Sequence, residues 1–306
     1  AHQNQLTKPP GALGILEELA VFLSSWQRTT KPSLKTVQAL VFAGNHGICA
    51  QGVNPFPQGV TKQMVENFKA GGAAINQLCE VSGADLNIVP LSLDDPTADF
   101  TEEEAMSELD LCEAIEIGAR SVNLNSDLIL LGEMGIGNST ISSALAASVF
   151  GGRVERWVGA GTGSDQKGQA HKAAIIELGI KKHGLRNNLS ALLAFGGREQ
   201  AAICGAILAA REASIPVLLD GFICTAAAAP LFGTSKNSLD HCLFGHLSAE
   251  PGHRLLLEAM GKSAILDLNM RLGEGTGAAL ALSILKGAIA CHNNMATFDS
   301  AGISSS

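Results

Sequence analysis

The segment Met270-Arg271-Leu272-Gly273-Glu274-Gly275-Thr276-Gly277-Ala278-Ala279-Leu280 sets one carboxylate, Glu274, between two glycines at the entry to a run of small residues. Glycine opens backbone conformations closed to other residues and lets a ligand approach the main chain. A carboxylate held there can act as a general base if burial lifts its pKa towards neutrality. It can equally be a loop glutamate that favours the positive end of the following helix. A second segment, Leu131–Thr140 (LGEMGIGNST), follows an apolar run and opens a run of small residues. The backbone N–H groups of Gly135, Ile136, Gly137 and Asn138 there suit an anion, helped by a helix dipole. The bland alternative is a tight strand-to-helix turn. No Gly-Lys-Ser/Thr follows, so it is no Walker A loop, and its glycine spacing is not the dinucleotide fingerprint. Glu133 beside an anion cradle suggests a contact of another kind, such as a sugar hydroxyl.

Val158–Asp165 (VGAGTGSD) is another glycine-rich helix entry, with Gly159, Ala160 and Gly161 in its turn. Lys172 lies two turns further on and either faces the same site or is solvated. Two such entries on one sheet edge point to a phosphorylated ligand more strongly than either alone. His46, in Gly44-Asn45-His46-Gly47, has no visible nucleophile partner, which favours a structural or substrate-edge role.

The elements that must hold these turns alternate. Val37–Ala43, Leu86–Pro90, Asp127–Gly132 and Pro216–Asp220 read as buried strands, with Ala264–Leu268 a weaker candidate. Pro57–Glu80, Glu102–Val122, Asn138–Phe150, Ser164–Lys182 and Glu274–Ile289 read as helices. The pattern predicts an α/β fold, a parallel Rossmann-like sheet with helices on both faces. The glycine turns follow the carboxyl ends of strands, the edge where ligands bind in such sheets. Residues 1–30 look helical and, with 285–306, are expected to form a small helical lobe beside a large catalytic domain at 31–284.

Composition narrows the function. At 306 residues, 46% hydrophobic and 16% charged, the chain buries a large core. With 4% aromatics, no Tyr and a net charge of −8, it lacks the stacking platforms and the basic surface that nucleic acid requires. The seven cysteines include no CxxC pair, which fits reduced thiols in a cytoplasm and no metal site. The start, Ala1–Gln5, shows no apolar leader core. The longest uncharged runs are too rich in Gly, Ser and Asn to span a membrane.

Six segments, Lys8–Gly14 (KPPGALG), Gly44–Ile48 (GNHGI), Gly132–Thr140, Leu218–Phe222 (LLDGF), Leu247–Gly252 (LSAEPG) and Met270–Leu280, together resemble the nicotinate-nucleotide:dimethylbenzimidazole phosphoribosyltransferases, the CobT family. The resemblance covers nearly the whole chain. It implies transfer of phosphoribose from nicotinate mononucleotide, a substrate rather than a cofactor, to a lower-ligand base of cobamides. Nicotinate leaves and an α-riboside phosphate forms. The pyridinium nitrogen departs readily, so the chemistry asks for a base on the acceptor and not for a metal. Glu274 matches the family's catalytic glutamate and Glu133 a second glutamate of the site. The amides of Gly135–Asn138 and Gly159–Gly161, with Lys172, match positions that hold the phosphate. Asp220 and Ser248 match polar positions near the nucleotide, and Arg271 is placed to brace the catalytic loop.

The departures concern the acceptor. Phe56 and Met64 stand where family members carry Ser and Gln, and Met134 where a Leu is usual. With Leu272 they make an apolar acceptor pocket, in which two unpaired ring nitrogens would cost roughly 1–3 kcal/mol. The expected acceptor is therefore phenol or p-cresol, as in the phenol-activating branch, whose paralogous subunits pair as a pseudo-symmetric heterodimer. A benzimidazole acceptor with a homodimeric enzyme is the alternative. A non-catalytic paralogous subunit is another, for which Asn45, where relatives carry Asp, is the one supporting feature.

Overall fold

The computed structural model describes residues 2–161 and 163–304, so Thr162 of the second glycine turn lies outside it. All seven residues of β1 (Val37–Ala43) are buried. A continuous apolar run of this kind is stable only where both faces of a sheet are covered. β1 is flanked by β2 (Asp85–Pro90) and β3 (Leu128–Met134), followed by β4 (Val217–Leu219), β5 (Cys242–His246) and β6 (Ala264–Leu266). The order is β2-β1-β3-β4-β5-β6, and every pairing is parallel. The fold is thus the expected doubly wound α/β sheet. Its order reverses between β1 and β3, which opens a crevice at their carboxyl ends.

Alternate strand residues feed two separate core layers, as the two-residue period requires. Leu40, Phe42, Ile129, Leu131, Val217 and Leu219 face one layer. It is built by α4 (Glu108–Arg120), α5 (Asn138–Phe150), α6 (Gln166–His183), α7 (Ser190–Phe195), α8 (Arg198–Glu212), α9 (Phe222–Thr234) and α10 (Pro251–Met260). Val37, Ala39, Val41, Leu128, Leu130 and Leu218 face the other, formed by α1 (Ile15–Trp26), α2 (Gly59–Lys69), α3 (Ala74–Ser82) and α11 (Thr276–Asn294). α12 (Phe298–Ala301) follows. The chain ends meet through an antiparallel bridge between Leu6 and Thr297 and a hydrogen bond from His2 Nε2 to the carbonyl of His292. The buried residues of α1 and α11 belong to the same layer as those of β1, β3 and β4.

Helix starts follow local chemistry. Ser107 caps α4 by accepting from the Asp110 N–H, while the Asp110 carboxylate accepts from the Ser107 N–H. That box places the start of α4 six residues later than Glu102. Asp165 caps α6 through the Gly168 N–H. The single helix expected over Pro57–Glu80 is instead two. Gly71, at φ 79°, takes the left-handed conformation that ends α2. Asn76 Oδ1 then accepts from Ala73 N–H and starts α3. No helix among the described residues is long and apolar enough to cross a membrane.

Candidate active site

At the carboxyl ends of β3, β4 and β5 a cavity opens to solvent, the edge where ligands bind in such sheets. Glu133, Met134, Gly135, Ile136, Gly137 and Asn138 line it from the end of β3 and the start of α5. Asp220 follows β4, and Ser248 and Glu250 follow β5. Lys172 on α6, Gly161, and Arg271, Leu272 and Gly273 complete the wall.

Glu274 stands immediately behind Gly273 and is 6% exposed. Its backbone lies at φ 64°, between Gly273 at φ 84° and Gly275 at φ 91°. A left-handed non-glycine residue costs on the order of 1–3 kcal/mol and persists where surroundings enforce it. The enforcement is visible. Gly132 of β3 passes so close beneath that a Cβ there would meet the Glu274 carbonyl oxygen at 2.6 Å. The Asp220 carboxylate accepts from the N–H groups of Gly275, Gly277 and Ala278 at 3.2, 2.8 and 3.0 Å. Burial pushes the Glu274 carboxyl up to about 6, opposed by the Ile75 N–H and assisted by Asp220. Its Oε2 is buried with no hydrogen-bond partner among the described residues. Ile75 lies in the first turn of α3, so the break between α2 and α3 supplies the amide that steadies the carboxylate.

Glu133 is 4% exposed and accepts from Asn138 Nδ2 and from the Glu274 N–H. Burial, then the carboxylates of Asp220, Glu199 and Glu274, hold its pKa well above the ordinary carboxylate range. Asp220, 1% exposed, is likewise raised by burial, against the pull of His246 and of the three α11 amides.

The anion end differs in detail from the sequence expectation. The Ile136 N–H donates to Thr61 Oγ1 at 3.1 Å and the Asn138 N–H to the Gly135 carbonyl at 3.1 Å. Two of the four expected amides are therefore engaged. The Gly161 N–H is also taken, by Glu250 Oε1 at 2.8 Å. Gly159 and Ala160 do not line the cavity, and Gly159 packs on Glu250 and Pro251. The groups at that end are side chains. Lys172, 2% exposed, reaches Ser139 Oγ at 3.3 Å. Burial lowers its pKa, and Glu250 opposes the shift. A buried ammonium beside a hydroxyl at the N-terminus of α5 suits a phosphate.

Two expected acceptor residues are not at this cavity. Phe56 is 46% exposed, in a shallow surface hollow with Cys49 and Pro55. Met64 packs against the α1–α3–α11 core layer. α2 turns Thr61, Val65 and Phe68 inward instead, so its contact with the glycine turn is Thr61. Met134 and Leu272 do line the cavity. Reading the sequence for function missed Glu250, His246, Thr61 and Glu199. His246 closes, and Glu250 follows, a strand, CLFGH, whose Gly and His hide its β character. Glu199 is fully buried with Oε1 2.9 Å from His46 Nε2, and this pair lies directly behind Gly135.

A doubly wound sheet whose carboxyl edge gathers Glu133, Asp220 and Lys172 around one cavity suits group transfer on a small charged ligand. A profile of the phosphoribosyltransferase family matches residues 1–303, and the chain belongs to that family. It is 56% identical over 99% of its length to the nicotinate-nucleotide–dimethylbenzimidazole phosphoribosyltransferase of Rhodobacter capsulatus, covering 91% of that protein. It is 54% identical over 98% of its length to the protein of the same name from a Ruegeria species, covering 89% of it. A crystal structure of CobT from Thermus thermophilus superposes with a TM-score of 0.92 at 39% identity, covering 100% of this chain and 97% of the other. The chain is thus an enzyme, a pentosyltransferase.

Proposed function

We propose that the enzyme transfers phosphoribose from nicotinate mononucleotide to 5,6-dimethylbenzimidazole, giving nicotinate and an α-riboside phosphate for cobamide assembly. The observation that carries the reading is Glu274, a carboxylate lifted to about 6 with an unpartnered buried oxygen. Lys172 and Ser139 take the phosphate and so fix the ribose in the cavity. One benzimidazole nitrogen attacks C1′ from the face opposite the pyridinium. The C1′–N bond to nicotinate breaks as the new C1′–N bond forms, and the bond's electron pair neutralises the pyridinium ring. The attacking ring becomes cationic, so the proton on its other nitrogen turns acidic and passes to Glu274. Glu133, its pKa raised by burial and neighbouring carboxylates, accepts from the Glu274 N–H and so braces the turn that presents the base.

Phe56 and Met64, which suggested the phenolic acceptor and a heterodimeric partner, stand outside the cavity, and relatives at 51–56% identity carry the dimethylbenzimidazole name. The test incubates the enzyme with nicotinate mononucleotide and either dimethylbenzimidazole or phenol, then resolves the riboside phosphates chromatographically. Product is expected with the benzimidazole, and Glu274→Gln should lose about 10²–10⁴ in turnover. Near-normal turnover by Glu274→Gln, or phenol as the better acceptor, would overturn the reading.

A further inference from the structure

Three loops from distant parts of the chain are laced together around one peptide, Gly161. Its N–H donates to Glu250 Oε1 at 2.8 Å, and its carbonyl accepts from Arg271 Nη1 at 2.6 Å. The Ala249 N–H donates to the Met270 carbonyl at 2.9 Å, tying the loop after β5 directly to the base loop. Arg271 is three residues before Glu274. Lys172 Nζ stands on the other side, 3.2 Å from where a Cβ on Gly161 would lie.

We infer that Glu250 and Arg271 are positioning residues that couple a phosphate at the Lys172 end of the cavity to the setting of Glu274 for the acceptor. The inference rests on the phosphoribosyl-transfer reading above. Among the protein's own groups, Glu250 accepts from the Gly161 N–H and feels the charges of both Lys172 and Arg271. A phosphate dianion takes Lys172 as its counter-ion. Glu250 is then left to the Gly161 N–H and to Arg271, and the grip on Gly161 tightens. Arg271 draws in with it and carries the base loop. That loop has little slack, because Gly132 lies against the Glu274 carbonyl and Asp220 holds the amides that follow. Donor occupancy therefore sets the base that the acceptor meets.

The test titrates dimethylbenzimidazole calorimetrically into the protein alone and into protein saturated with ribose 5-phosphate, which has the phosphate and sugar without the leaving group. The wild-type chain should bind the benzimidazole at least about 5-fold more tightly when ribose 5-phosphate is present, the lower end of ordinary coupling between sites. Arg271→Gln and Glu250→Gln should still bind ribose 5-phosphate, through Lys172 and Ser139, and lose the coupling. Arg271 is exposed, so its variant is expected to fold, and thermal unfolding checks this. Absent coupling in the wild type, or coupling retained in Arg271→Gln, overturns the inference. So does failure of Arg271→Gln to bind ribose 5-phosphate, which would make Arg271 a phosphate ligand instead. A wild-type enzyme that forms no product from nicotinate mononucleotide and dimethylbenzimidazole sinks the underlying reading. Product formation with unchanged coupling in the variants sinks only this inference.

Discussion

Replacing Gly132 by Ala tests whether the strand beneath the base loop sets the position of Glu274. The added Cβ would lie 2.6 Å from both the Glu274 carbonyl oxygen and the Gly275 nitrogen, and 2.7 Å from the Glu274 carbonyl carbon. These are backbone atoms, so no side chain can rotate away. Restoring ordinary contact at about 3.4 Å moves the loop by about 0.8 Å. A displacement near 1 Å of a catalytic group costs about 10²-fold, or roughly 2.7 kcal/mol of transition-state stabilisation. Overpacking itself costs about 1–3 kcal/mol of stability, a fall in Tm of about 2–6 °C for a chain of this size, so the variant still folds. The assay is steady-state transfer with the acceptor varied, together with Tm. Gly132→Ala should lose about 10²-fold in kcat with the donor KM changed only a few-fold, because the Lys172–Ser139 end is remote from the clash. In a Glu274→Gln background the same substitution should lose little more, since groups acting as a unit are not additive. Gly132→Ala within threefold of wild-type kcat, or a full additive loss on Glu274→Gln, would refute the reasoning.

Two further outcomes follow from the site. Glu274 works as a base only when ionised and its pKa is about 6. Acceptor kcat/KM should therefore fall tenfold per unit below about pH 6 and level off above it, and a limb absent from the wild-type pH profile would remove Glu274 from the proton transfer. His46→Ala should remove a fully buried ring packed 2.9 Å from the Glu199 carboxylate and lower the Tm by several degrees through the cavity left behind, whereas an unchanged Tm would show that the pair carries no such weight.

How far the sequence reached depended on whether a signal was local. The β1 and β3 strands, the turns Gly44–Gly47 and Gly135–Gly137, and the glycine frame of Glu274 are each written in consecutive residues, so the sheet and its carboxyl edge could be read directly. α8 and α9 could not. Both are largely buried and rich in alanine, and a helix covered on most of its faces shows little amphipathic period. The break at Gly71 is hidden because glycine within a helical pattern is often tolerated. The acceptor residues carry a weaker signal. Position in a motif points to Phe56 and Met64, and only the turn of α2 shows that Thr61 meets the glycine turn while Met64 packs beside the α1–α3–α11 layer. Glu250 and Glu199 become visible only when loops far apart in the chain converge.

The carboxylate that closes β4 also has an electrostatic consequence for the base. The first amides of α11 begin directly after Glu274 and carry the positive end of a long helix's dipole, which would ordinarily stabilise a nearby carboxylate anion and make it a weaker base. Asp220 already occupies those amides. With that pole neutralised, burial governs Glu274, and its proton affinity stays near neutrality. The enzyme's reactivity is thus tuned by a side chain that need not touch substrate: the helix field is spent on Asp220, and the basicity is left to Glu274.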